Sequence, residues 1–162
     1  MRPRVLLSGF FGRGNCGDEA ILQVQYECFK DDFDVLISLD QHDAFDGFWN
    51  WYPYNECELI NQSNLLCLED SALTLMHVGG GGLPIGFNGG QVMAAAINRV
   101  PLAMTGVDIP SDAMRKNEAL LLSYLSLFSC VASRTSASYG RLQQLGLAEA
   151  FPGLDWAFGL QS

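Results

Sequence analysis

Two glycine-rich segments hold the residues whose types and spacing could do chemistry. In "GFFGRGNCGDEAIL", Gly9 to Leu22, the glycines Gly12, Gly14 and Gly17 have the GxGxxG spacing of a dinucleotide-binding turn, and the carboxylates Asp18 and Glu19 follow at once. In "HVGGGGLPIGFNGG", His77 to Gly90, four consecutive glycines that include Gly80, Gly81 and Gly82 let a backbone approach a ligand or another loop with no Cβ in the way. A diphosphate over the first loop, with Asp40 on a ribose some twenty residues later, is one reading. Against it, carboxylates in the first helical turn meet the helix dipole favourably, by about 0.3 to 1 kcal/mol each, and fill the anion site themselves. Asp18 and Glu19 therefore either cap the helix or point into a cleft, where they bind sugar hydroxyls or act as acid and base. His77, just before the second loop, is either a proton carrier that titrates near working pH or a hydrogen-bonded core residue.

These loops need a frame, and the sequence supplies an alternation of strands and helices. Strands are expected at Arg4 to Gly9, Phe33 to Leu39, Leu73 to Val78, Pro101 to Val107 and Phe128 to Ser133. Helices are expected at Gly17 to Phe29, Gly90 to Asn98, Ser111 to Leu127 and Ser136 to Leu145, with Ser111 as an N-cap and Gly146 as a stop. The pattern predicts an α/β fold with a doubly wound, mostly parallel Rossmann-like sheet, in which ligands lie at the carboxyl ends of the strands. The aromatic stretch Phe45 to Tyr54 interrupts the alternation with a long loop. Its Trp49 and Trp51, set among carboxylates, suit stacking against a sugar face, or else pack on the core or a partner surface.

Composition narrows the function classes. The 162 residues are an ordinary length for one domain and carry a formal charge of −9. The acidity is local, because the span from Asp31 to Ser71 contains no Lys or Arg. Such a distribution offers no basic stripe to nucleic acid or anionic lipid. The five cysteines form no CxxC pair and no zinc-like spacing with His42 or His77, so no metal site is expected and the thiols read as reduced, in the cytoplasm. The longest apolar stretch, Ala119 to Ala132, is broken by three serines and is shorter than the roughly 20 residues that span a bilayer.

The motifs together resemble the polysaccharide pyruvyl transferases. "LLSGFFGRGNCGDEAIL" is similar to their amino-terminal signature, "LMHVGGGGLP" to their central glycine motif, "VASRTSASYGRLQQLG" to a later strand, Arg and helix, and "LDWAFGL" to an Asp-containing strand. Two places depart from the family's pattern: Thr135 follows Arg134 where Asp is common, and "TGVDIP" replaces a Gly-Pro pair. The resemblance implies one Rossmann-like domain over residues 1 to 162, the amino-terminal lobe of a two-lobed GT-B enzyme with the active site between lobes. It implies transfer of a pyruvyl group from phosphoenolpyruvate to a sugar of a cell-surface polysaccharide as a ketal, with no cofactor besides that donor, in the cytoplasm or at the inner membrane surface. Asp18, Glu19, His77 and Arg134 are then the catalytic candidates. Gly12, Arg13, Gly14, Asn15, Gly80, Gly81, Gly82, Trp49 and Trp51 are the substrate-binding ones. The implied partners are a sugar or glycan acceptor and a second lobe or second copy. A nucleotide-sugar or dinucleotide binder and a non-catalytic interaction lobe stay open as alternatives.

Overall fold

The computed structural model describes residues 2–39, 54, 56–61, 73–80, 82–83, 89–147, 150–153 and 155–159. Trp49, Trp51, Asp40 and Gly81 lie outside them. Seven strands form one sheet: β1 (Arg4–Ser8), β2 (Asp34–Leu39), β3 (Glu58–Asn61), β4 (Leu73–Gly79), β5 (Leu102–Val107), β6 (Cys130–Ser133) and β7 (Ala150–Pro152). The order is β3-β2-β1-β4-β5-β6-β7, with every pair parallel. Four α-helices are described: α1 (Cys16–Phe29), α2 (Gly89–Ile97), α3 (Ser111–Leu125) and α4 (Ser136–Gln144). The strand order turns back between β1 and β4, which makes the carboxyl ends of these two neighbours the topological switch point.

Apolar alternation sends side chains to two cores. Val5, Leu7, Ile37 and Leu39 pack with Phe11, Ile21 and Leu22 under α1. Leu6, Met76, Val78, Met104 and Val131 pack with Val92, Ala95, Leu121 and Leu142 under α2, α3 and α4. A parallel sheet covered on both faces reads as continuous apolar runs, and β1 and β2 do. Among the described helices, none is long and apolar enough to cross a membrane.

Four details differ from the sequence reading. β3 and β7 join the sheet unannounced, because strands of four and three residues at the two edges leave almost no periodicity, and the second ends in Pro152. Ser111 begins α3 instead of capping it, since Pro110 holds the cap position with no side-chain hydrogen bond. The "LDWAFGL" segment contributes a 3-10 turn, Trp156–Gly159, where a strand is expected. Gly146 does stop α4, in the left-handed region at φ 75°.

Candidate functional site

The switch point is where the two glycine loops begin, side by side. A Cβ on Gly9 would lie 2.5 Å from the Gly79 carbonyl oxygen, so neither Gly9 nor its neighbouring strand end has room for a side chain there. The first loop then turns through Gly12 and Gly14, both in the left-handed region at φ 78° and φ 72°. Asn15 caps α1, its side chain accepting from the Gly17 N–H at 3.1 Å.

The carboxylates that follow take different places. Glu19 folds back on its own loop, where its Oε1 accepts from the Gly12 N–H at 2.7 Å. It thereby fixes the turn, and we describe it as a positioning residue for that loop. Asp18, with 9% exposure, reaches across to the second loop, its Oδ1 3.8 Å from where a Cβ on Gly80 would stand. Gly80 has φ 144°, open to glycine and strained for other residues, although a Cβ there would stand at ordinary contact distance from Asp18. Gly82 has open space around it, as does Gly14. Arg13 lies over the Phe10 ring at 4.2 Å, at the mouth of the first loop.

The structure thus sets the first loop, with Gly12, Arg13, Gly14, Asn15, Asp18 and Glu19, beside the start of the second through Gly9 and Gly79 and through Asp18 and Gly80; no contact of the first loop with Gly82 is among the described ones. It sets His77 and Arg134 apart from them. His77 is buried on the α1 side of β4, edge-on to Trp156 at 5.6 Å and against Phe29 at 5.3 Å. Its Nε2 pairs with Thr105 Oγ1 at 2.8 Å, and the same hydroxyl accepts from Trp156 Nε1 at 2.7 Å. Burial pushes its pKa down to about 4. The expectation of titration near working pH is corrected on that ground: the imidazole stays neutral in the fold and serves the packing under Trp156.

Arg134 leaves β6 two strands from the switch point. Its guanidinium bonds Asp155 at 3.1 Å and stands 4.0 Å from Asp108. Asp108 in turn accepts from Ser138 and Thr135, at the start of α4. The Ser138 bond foremost, then the Thr135 bond and the nearby Arg134 and Arg141, hold its carboxyl below the usual range. A guanidinium bracketed by two carboxylates would have to exchange one of them before it could clamp a donor anion.

Sequence reasoning missed Trp156, whose signal is only a Trp after an Asp near the end of the chain. Its indole occupies the space that a side chain on Gly106 would need, 2.6 Å from a Cβ there, and Gly106 has φ 69°. Gly106→Ala is accordingly expected to cost about 2 kcal/mol, from left-handed strain and overpacking together. Urea denaturation checks it, and a Trp156→Ala background should absorb part of the loss. Of the aromatic stretch, Tyr54 is described: it tilts on Tyr26 at 4.9 Å, its phenol pushed up to about 12 by burial, which is packing against α1.

No protein-family model matches the chain, and no curated protein matches it. Solved structures do. A Listeria monocytogenes protein assigned as a UDP-N-acetylglucosamine 2-epimerase superposes with TM-score 0.62 at 12% identity over 93% of this chain and 44% of its own. The UDP-GlcNAc 2-epimerase of Neisseria meningitidis, solved with UDP-GlcNAc, gives TM-score 0.61 at 13% identity, over 97% and 47%. An alpha-glucosyltransferase solved with UDP-glucose and DNA containing an abasic site gives 0.55 at 9%, over 96% and 42%. The chain spans less than half the length of each. At these identities the likeness is one of fold: the domain is a Rossmann-like α/β unit of the kind that forms one lobe of GT-B enzymes.

Proposed function

We propose that this chain is the amino-terminal lobe of a pyruvyl-transferring enzyme of the polysaccharide pyruvyl transferase type, and that its switch-point cleft receives the acceptor sugar. The observation that carries the reading is the placement of Asp18. A nine-tenths buried carboxylate stands at the switch point between two glycine loops, in the position where a dinucleotide binder needs bare amides for a pyrophosphate. A carboxylate there suits neutral hydroxyls.

The reaction sets what the residues must do. The methylene carbon of phosphoenolpyruvate takes a proton, and one sugar hydroxyl adds to the adjacent carbon as it gives up its own. A second hydroxyl then displaces phosphate, which leaves with the second proton. Asp18 acts as the base for the attacking hydroxyl. Glu19, through Gly12, keeps the loop that shapes the acceptor side. The second lobe supplies the opposite wall and most of the donor's cationic partners, since Arg134 is already paired.

The test is phosphate release from phosphoenolpyruvate in the presence of acceptor glycans, with the ketal identified in the product. Formation of the ketal by the two-lobed protein supports the reading, and its absence with intact, folded protein removes it. A nucleotide-sugar site is the second reading, favoured by the two fold neighbours solved with UDP-sugars. Thermal stabilisation of the chain by UDP-GlcNAc would support it instead.

A further inference from the structure

Two helices begin at the switch-point edge, and their amino ends are not alike. The first turn of α1 contains Asp18 and Glu19, whereas that of α2 contains no acidic residue and opens with Gly89 and Gly90. The first amides of any α-helix lack partners within it and carry positive dipole charge. At α1 the Gly17 N–H is met by the Asn15 cap, and two carboxylates stand in the same turn.

Gln91 adds an independent observation. It lies in the first turn of α2 with 1% exposure, and its Oε1 accepts from Ser38 Oγ at 2.8 Å and Ser8 Oγ at 3.3 Å. These serines stand at the carboxyl ends of β2 and β1, so the amide sits at the site edge of the sheet. A side chain in the first turn leans toward the helix's amino end. Among the described residues, Gln91 Nε2 has no hydrogen-bond partner. A buried amide donor left unpaired is costly, and native proteins retain such groups where a ligand or water completes them.

We propose that the amino end of α2, formed by the Gly89 and Gly90 amides and Gln91 Nε2, is a subsite for a small oxyanion, a phosphate or a carboxylate. The assignment of that oxyanion to phosphoenolpyruvate rests on the reading above. It places the anionic donor at α2 and the neutral acceptor at the carboxylate-filled end of α1, which separates the two substrates by charge along one sheet edge.

The experiment is a titration of the 15N-labelled chain with inorganic phosphate and, separately, pyruvate at constant ionic strength. The backbone amides of Gly89 and Gly90 and the Gln91 side-chain amide are expected to shift together and saturate. Response to phosphate alone assigns the phosphate end of the donor, and response to pyruvate alone the carboxylate end. Gly89 has open space for a side chain. Gly89→Asp should therefore lower affinity at least tenfold while the melting temperature holds or rises, because a carboxylate favours that helix end. Gln91→Glu, which keeps an acceptor for both serines and removes the donor, should lose the response as well. No shift at these amides with either anion, or undiminished binding by Gly89→Asp, overturns the subsite. Binding at α2 without ketal formation by the two-lobed protein removes the pyruvyl-transfer reading and leaves the subsite standing.

Discussion

Asp18→Asn in the two-lobed protein is expected to lower kcat for ketal formation by at least about a hundredfold while leaving KM for phosphoenolpyruvate nearly unchanged. General-base catalysis contributes typically 10²–10⁴-fold, and the amide retains the size and hydrogen-bonding reach of the carboxylate without its basicity. The split between the two constants follows from the geometry. Asp18 stands beside Gly80, and in the proposed function it faces the acceptor while the donor's anionic groups bind elsewhere. The fold should persist, because the substitution removes one favourable charge at the start of α1, worth about 0.3 to 1 kcal/mol. Steady-state kinetics with donor varied at saturating acceptor check it. A rise in KM for phosphoenolpyruvate with kcat unchanged would place Asp18 on the donor instead.

Acid should destabilise the domain through His77. In the fold its pKa is pushed down to about 4 by burial, and the unfolded chain titrates at the ordinary value near 6.5. Between these values the unfolded state holds a proton that the folded state lacks, so stability is full above pH 6.5 and falls as pH drops. About 3 kcal/mol is lost from this one group by pH 4. Carboxylates add their own acid sensitivity, and His77→Gln separates the two. Urea midpoints at pH 7.5 and 4.5 should move further apart in the natural protein than in the variant. Equal displacement in both would show that His77 charges without penalty.

How much of this could be read beforehand depended on whether the governing contacts were local. The β1 to α1 unit was legible because each of its signals lies within a few residues: an apolar strand, turning glycines, Asn15 as cap and acids in the first turn. For Asp18 the sequence left two options, a helix cap or a group that points into a cleft. The structure sets it beside Gly80, more than sixty positions away in sequence. Separation in sequence, 28 positions to Thr105 and further to Trp156, also hid the surroundings of His77. Only the folded sheet shows that the imidazole is roofed by an indole. Arg134 looked available because Asp108 and Asp155 are far from it in sequence on either side. The start of α2 was legible to within a residue, expected at Gly90 and found at Gly89, because the apolar helical run follows directly on the glycines.

The charge asymmetry of the chain has a structural counterpart. Glu58 of the acid-rich span pairs with Arg4, and Asp34 lies 4.0 Å from Arg2, at the amino ends of the strands. Those cations are occupied at the edge opposite the candidate site and play no part in it. At the site edge, Arg13 is the one cation of the first loop, consistent with a neutral substrate on that side.

One measurement tests the central claim most directly: ketal formation and phosphate release from phosphoenolpyruvate, followed in parallel for the 162-residue chain alone and for a two-lobed protein that contains it, as the proposed function requires. Two anionic groups on the donor demand more cationic partners than this lobe presents, and a cleft with one wall neither excludes water nor orients donor against acceptor. The account predicts no turnover by the isolated chain and formation of the pyruvyl ketal by the two-lobed protein. Robust turnover by the isolated chain, or a folded two-lobed protein that binds the donor and acceptor yet forms no ketal, would contradict it.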